Sequence, residues 1–456
     1  MSLRPLPHLL ALTLLVAAGC TIFAPHAPVE ILDVEVTSTA VVLEPGDTAS
    51  LIGFPVYGDY RDPFERPYPP LRGHWSSSDP EVVAIEGARM RAVSPGTVVL
   101  TVRHGVLRDT ATVVVRADEP ALPAVRQVSL GNGHGCLIEE DDRVACWGSN
   151  TGGMIGVGDP RLVVSYLAPV RLPGATAIDV VAGRQISCYL DVEGVARCWG
   201  EVMGSASPLP IAAEAPFTAL SAGWFTACGL TADGTVHCWG RELGDAPVRQ
   251  PIDDAIVQID GECGLTAEGS VRCWGRSQHL STGADSPAFE VISTGFQRVC
   301  GLDADGVAHC WGTNEHGGLG TGPATNTCRM DYGPAYACNE SPAPVRTELR
   351  FIDLAVGNGV ICGVSTDGTA HCWGAWNLQG ALGTGSFEPS VTPVPVATAQ
   401  TFRLLVAHES AVCGVATSGT AYCWGGSFPG DGRTWIRAPD STTGIPAPVA
   451  VRRPVR

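Results

Sequence analysis

Cys228-Gly229-Leu230-Thr231-Ala232-Asp233-Gly234-Thr235-Val236-His237-Cys238-Trp239-Gly240 is the stretch on which the fold turns. Its centre of symmetry is Asp233. A three-residue loop, Ala232-Asp233-Gly234, puts Gly234 at the left-handed position that such hairpins require. The flanks then run as antiparallel strands with Cys228 and Cys238 opposed, their Cα atoms about 4.5–5.5 Å apart and within reach of a disulfide. The same Cys-x9-Cys spacing followed by Trp-Gly recurs six times: Cys136 with Cys146, Cys188 with Cys198, Cys263 with Cys273, Cys300 with Cys310, Cys362 with Cys372, and Cys413 with Cys423. The glycine recurs as Gly194, Gly269, Gly306, Gly368 and Gly419, and the first copy substitutes Asp142, a residue type that tolerates this conformation. An eighth pair, Cys328 with Cys338, keeps the spacing and lacks Trp-Gly.

Zinc ligation would want Cys-x2-4-Cys knuckles or histidine partners at fixed offsets, and no pair has either. Eight local disulfides are expected instead, each stabilising by roughly 2–3 kcal/mol.

Upstream of the hairpins come short apolar strands ending in glycine, as in Val180-Val181-Ala182-Gly183, Leu220-Ser221-Ala222-Gly223 and Leu354-Ala355-Val356-Gly357. A Pro-Val strand follows, as in Ala168-Pro169-Val170-Arg171, Ala246-Pro247-Val248-Arg249 and Ala343-Pro344-Val345-Arg346, and proline suits an outer edge. First cysteines of successive copies lie about 35 to 62 residues apart, a blade-like period. Four strands per copy and seven copies predict an all-β, seven-bladed β-propeller, a closed ring with few exposed edges.

Between hairpin and outer strand stands a further signature. Copy five reads Trp311-Gly312-Thr313-Asn314-Glu315-His316-Gly317-Gly318-Leu319-Gly320, copy one has Trp147-Gly148-Ser149-Asn150 with Gly152-Gly153-Met154-Ile155-Gly156, and copy six keeps Gly380-Ala381-Leu382-Gly383. Over about residues 126–456 this pattern resembles the regulator of chromosome condensation repeat family, in an exported, cysteine-rich form. Copies two, three and four lack the Gly-x-Leu-Gly segment, which predicts shortened connections. The resemblance implies a propeller that binds partners, and related exported propellers include inhibitors of secreted β-lactamases.

The N-terminus reads as a lipoprotein signal peptide over 1–19, with Arg4 before the apolar run Leu9 to Ala18, and Ala17-Ala18-Gly19-Cys20 resembling the site where a cysteine is exposed and acylated. Lipidation of Cys20 and a tether over 20–30 are expected. Residues 31–116 contain Leu43-Glu44-Pro45-Gly46-Asp47-Thr48, Trp75-Ser76-Ser77-Ser78-Asp79-Pro80-Glu81-Val82 and Ala92-Val93-Ser94-Pro95-Gly96-Thr97. They resemble a group 2 bacterial immunoglobulin-like domain, which implies a small immunoglobulin-like β-sandwich with Trp75 in its core. Residues 117–125 form a stiff linker, and the propeller takes 126–456.

Composition excludes some functions. A net charge of −17 argues against nucleic-acid binding. All 29 basic residues are arginine, so neither a phosphate-loop lysine nor a Schiff-base lysine exists. Asp303-Ala304-Asp305-Gly306 is a hairpin turn without the later glutamate of a calcium loop, and His408-Glu409 lacks the second histidine of a zinc protease. No catalytic residue, metal or cofactor is assigned.

The largest departure from the repeat is an insertion between Gly320 and Pro342, closed by the Cys328 and Cys338 pair, which carries Arg329, Met330, Tyr332 and Tyr336. These residue types are enriched at interfaces, though a stapled loop without a task fits equally. The expected function is that of a cell-envelope lipoprotein that binds an unknown protein or glycan, touching membrane only through its lipid, at the outer membrane or cell surface. The alternatives are a structural or adhesive envelope protein, or an inhibitor of a secreted enzyme. Catalysis and nucleotide exchange rank below these, because an exported chain meets no cytosolic GTPase.

Overall fold

A computed structural model describes residues 74–86, 89–94, 96–104, 107–115, 124–158, 169–241, 243–329, 335–426 and 445–451, together with strands over 31–36, 40–43, 48–50 and 53–57. The signal peptide, Cys20, the tether and most of the linker lie outside the described residues.

Seven antiparallel sheets follow one another from Val125 to Ala450. Blade one consists of Val125–Leu130, His134–Glu139, Arg143–Gly148 and Val170–Thr176, each hydrogen-bonded to the next. Blades two, three, six and seven repeat this order. First strands of successive blades touch one another around the whole ring and therefore line its channel.

Blades four and five depart from four strands. Blade four stops at three, Ile256–Asp260, Cys263–Thr266 and Val271–Cys273. A 3-10 segment, Gly275–Leu280, and the hydroxyls of Ser281 and Thr282 stand where its outer strand would be, receiving the N–H groups of Cys273 and Val271 at 2.9 Å each. Blade five gains a fifth strand, because the insertion pairs Asn326–Arg329 with Ala335–Pro344 and becomes the blade's edge.

The hairpins match their sequence reading. Cys136 bridges Cys146, Cys188 bridges Cys198, Cys228 bridges Cys238 and Cys263 bridges Cys273. In the later blades Cys300 bridges Cys310, Cys362 bridges Cys372 and Cys413 bridges Cys423. Each of these seven pairs is directly opposed in register. Their Cα separations of 3.9 to 4.1 Å are shorter than the 4.5–5.5 Å expected for opposed residues, because the bridge draws the two strands together at that rung. Gly234 has φ 83° and Asp142 φ 65°. The eighth bridge is local but diagonal. Cys328 faces Tyr336 and Cys338 faces Asn326, which leaves the Cα atoms of the bridged pair 5.9 Å apart.

The glycine that follows the first cysteine in blades three, five, six and seven also has a cause. A Cβ on Gly229 would lie 2.4 Å from the ring of Phe217, which itself stacks on Trp239 at 5.5 Å. Phe289, Phe351 and Phe402 press in the same way on Gly301, Gly363 and Gly414.

Tryptophans of the Trp-Gly pairs are sealed between blades. The indoles of Trp199, Trp373 and Trp424 donate to the carbonyls of Met154, Leu319 and Ala381, which belong to the Gly-x-Leu-Gly segment of the preceding blade. Trp311 uses Leu280 of the 3-10 segment instead. Trp239 and Trp274 follow blades that lost the segment, and their indole nitrogens are buried without a partner among the described residues.

Around the channel, side chains stitch one first strand to the next. Ser129 accepts from Ala182 N, Asp179 from Leu220 N, Asp260 from Thr294 N, Ser293 from Val356 N and Asp353 from Leu405 N, while Ser221 donates to the Gly261 carbonyl. The last seam closes without strand exchange. Arg403 Nη2 donates to the carbonyls of Val125 and Arg126, Val125 N donates to Gly419 O, and apolar residues of blades one and seven share a core.

Ahead of the ring, Ala40–Leu43, Leu107–Val115, Gly96–His104 and His74–Ser77 form one sheet, and Thr48–Ser50, Arg89–Ala92 and Val83–Glu86 another. Trp75 packs half-buried against a core of Val83, Met90, Val98, Leu100 and Val113.

Candidate functional site

The turns joining the first and second strands meet at one end of the channel. In blade three the ladder runs to Ala222 opposite Ala227, whereas in blade four it stops at Asp260 opposite Cys263. Blade four is thus low on this face, and its missing outer strand widens the gap. The turns of blades three and five lean over it, and Trp224 stacks on Phe296 with centroids 4.6 Å apart and planes 22° from parallel. Arg184 of blade two lies over Trp224 at 4.8 Å, and Arg241 lies over Phe225 at 4.1 Å. These cation–π contacts hold the aromatic wall from behind.

The recess beneath encloses about 150 Å³ and draws lining from the turns of blades three to seven. On its floor Glu262 accepts from Arg276 N and the Ser277 hydroxyl at 3.1 Å each, and burial pushes its carboxyl above the ordinary range. A second recess of about 450 Å³ adjoins it and shares the wall Phe296-Gln297-Arg298. Its rim holds Trp376, 48 % exposed, with His316 edge-on at 5.4 Å, and Tyr336.

Two histidines lie near this mouth. His134 is sealed, bonded to Ser187 Oγ at 2.7 Å, and burial lowers its pKa to about 4. His408 occupies the glycine position of the other turns, and burial lowers its pKa as well. Both are neutral near pH 7.

Of the four insertion residues, Tyr336 reaches the second recess, while Arg329 is exposed on the added edge strand. Met330 and Tyr332 lie outside the described residues. The insertion is tied to the blade by Asn339, which accepts from Asn314 Nδ2 and Thr325 N and donates to Thr321 Oγ1. Asp303 serves as a turn acceptor for Asp305 N and Val307 N.

The aromatic wall and Arg298 were not singled out by sequence. One signal was available: Gly261 precedes its cysteine by two positions, whereas Gly223 precedes Cys228 by five.

Fold and mouth together define a disulfide-pinned, seven-bladed repeat propeller with one recessed, aromatic-walled face. The chain carries repeats of the regulator of chromosome condensation (RCC1) family, whose repeat model matches residues 125–153 and 217–242. A search among curated proteins found no match. Human WBSCR16 is similar in fold, with a TM-score of 0.51 and 16 % identity over 68 % of this chain and 89 % of that one. The ectodomain of the Physcomitrella patens receptor kinase CR4 aligns at a TM-score of 0.46 and 23 % identity, over 68 % and 76 % of the two chains. Prp20p of Saccharomyces cerevisiae, described with its binding properties to Gsp1p and histones, aligns at 0.43 and 16 %, over 72 % and 77 %.

Proposed function

We propose that this chain is a non-catalytic binding protein of the cell envelope, anchored by lipid at Cys20. An immunoglobulin-like unit over 31–116 and a linker, one residue shorter than the expected 117–125 because Val125 opens blade one, carry the propeller, which engages a protein partner with the face around its channel mouth. The carrying observation is the mouth itself. Five blades converge on one recess, and the wall it shares with the adjoining recess leaves Phe296 exposed at 37 %, with Trp376 of the adjoining recess exposed at 48 %. Aromatic residues around a desolvated recess are the composition of binding hot spots. Eight disulfides fit an oxidising compartment.

A photo-crosslinking residue at Trp376 should trap one stoichiometric partner on intact cells. The same residue at Val248, 42 % exposed on an outer strand, should trap none. Equal, diffuse products at both positions would favour a structural or adhesive role and refute this reading. Radiolabelled palmitate should enter the natural protein and be absent from Cys20→Ser.

A further inference from the structure

Four hairpins share a position opposite the Trp-Gly glycine, held by His134, Thr226, Arg298 and Ala411. In blade five alone of these it carries a permanent charge. Arg298 is 4 % exposed and lines both recesses. Its Nε donates to the Thr313 carbonyl at 3.0 Å. Among the described residues, Nη1 and Nη2 donate to nothing and no carboxylate lies within ion-pair distance. Burial lowers the pKa of this guanidinium, and the charge of Glu315 offsets that only in part. A buried cation without a counter-ion is costly, and a chain that keeps one has a use for it.

The preceding residue is unsatisfied too. Gln297 is held left-handed at φ 56°, in the turn position that Gly133 fills in blade one at φ 82°. It is 7 % exposed and its Oε1 is buried without a partner among the described residues. Strain in a non-glycine residue, an unmet acceptor and an unmet guanidinium fork thus sit side by side on a recess walled by Phe296.

We propose that this corner of the mouth is a carboxylate pocket. Arg298 presents its terminal N–H groups as a planar fork to the carboxylate at the C-terminal end of a partner peptide, and Gln297 Oε1 accepts an N–H from the same ligand. Glu315 and Glu409 on the second recess oppose a bulky dianion such as phosphate and leave room for a planar monoanion. The inference rests on the mouth being the binding face.

The probe is N-acetylphenylalanine, titrated calorimetrically into the full chain at neutral pH. Its α-amide serves as control, and N-acetylaspartic acid α-amide supplies a side-chain carboxylate. The free acid should bind at least tenfold tighter than the amide, and tighter than the aspartate derivative. Arg298→Met should abolish the difference while Tm stays level or rises, because an unpaired buried cation has been removed. Arg298→Lys should fold and recover only part of the affinity. Acid and amide behaving alike, including no binding of either, would overturn the proposal. So would unchanged acid affinity in Arg298→Met, or in Arg298→Lys should the methionine variant not fold. Tighter binding of the aspartate derivative would overturn the assignment to a chain end. If these fail while the Trp376 cross-link persists, the pocket falls and the binding face stands. A lost cross-link with acid binding intact sinks the face as a partner site and leaves the pocket.

Discussion

Asp353→Asn isolates the electrostatics of the channel. Asp353 sits on the first strand of blade six and accepts Leu405 N of blade seven at 2.7 Å. Burial raises its pKa from 3.8 to about 7, opposed by that hydrogen bond and aided by the charge of Asp260, itself raised to about 6. For an acid raised on folding, the native state holds a proton that the unfolded chain has released. Stability is therefore greatest below the unfolded pKa and falls as pH climbs from about 4 to about 7. A shift of about three units at 1.36 kcal/mol each sets a ceiling of about 4 kcal/mol, and solvent screening of a side chain that is only partly buried brings the expected penalty to about 2–4 kcal/mol. Asparagine keeps an oxygen for Leu405 N and removes the charge. Denaturant unfolding of both proteins, disulfides intact, should show a stability difference that is small near pH 4 and grows in favour of the variant up to pH 8. The lowered pKa values of His134 and His408 work in the opposite sense in both proteins and cancel in the difference. A difference independent of pH, or one favouring the aspartate at pH 8, would contradict this electrostatic account.

Trp373→Phe deletes the bond to the Leu319 carbonyl, whereas Trp239→Phe deletes a donor that has no acceptor, so equilibrium unfolding should show the former costing about 1–2 kcal/mol more. Gln297→Gly should raise Tm by releasing a left-handed backbone worth about 1 kcal/mol, and a lower Tm would count against strain at that turn. Non-reducing peptide mapping should find each cysteine from Cys136 to Cys423 bridged only to its partner ten positions away, and any bridge between blades would contradict the ring. Asn339→Ala should lower the unfolding free energy in denaturant by about 1–3 kcal/mol, since Asn314 and Thr321 lose a buried partner, and an unchanged unfolding midpoint would count against that tie.

Much of the ring was legible because its rules are local. Ten-residue spacing, a left-handed glycine and an apolar strand ending in glycine each act within a few residues, so Cys228 and Cys238 implied their hairpin without the rest of the chain. The indole network was half legible. Loss of Gly-x-Leu-Gly from copies two and three could be read, but its effect on Trp239 and Trp274 depends on a carbonyl of the neighbouring blade. The mouth was least legible, since Trp224 and Phe296 stand far apart in sequence and meet only because blade four is short. The insertion drew attention for its composition, yet one of its four residues, Tyr336, is placed on a recess. Arg298 looks ordinary in sequence; its interest comes from what fails to surround it.

Every bridge in this ring stays inside its own hairpin, while every seam between blades, including the last, is held by side chains and backbone hydrogen bonds alone. During synthesis each second cysteine emerges only ten residues behind its partner, so the nearest free thiol is always the correct one. Oxidation can therefore keep pace with the emerging chain and needs no reshuffling after the ring closes. Closure, by contrast, waits for the final blade to meet Val125 and Arg126. Covalent order is thus laid down progressively from one end to the other, and the shared channel and its mouth come into being in a single late step.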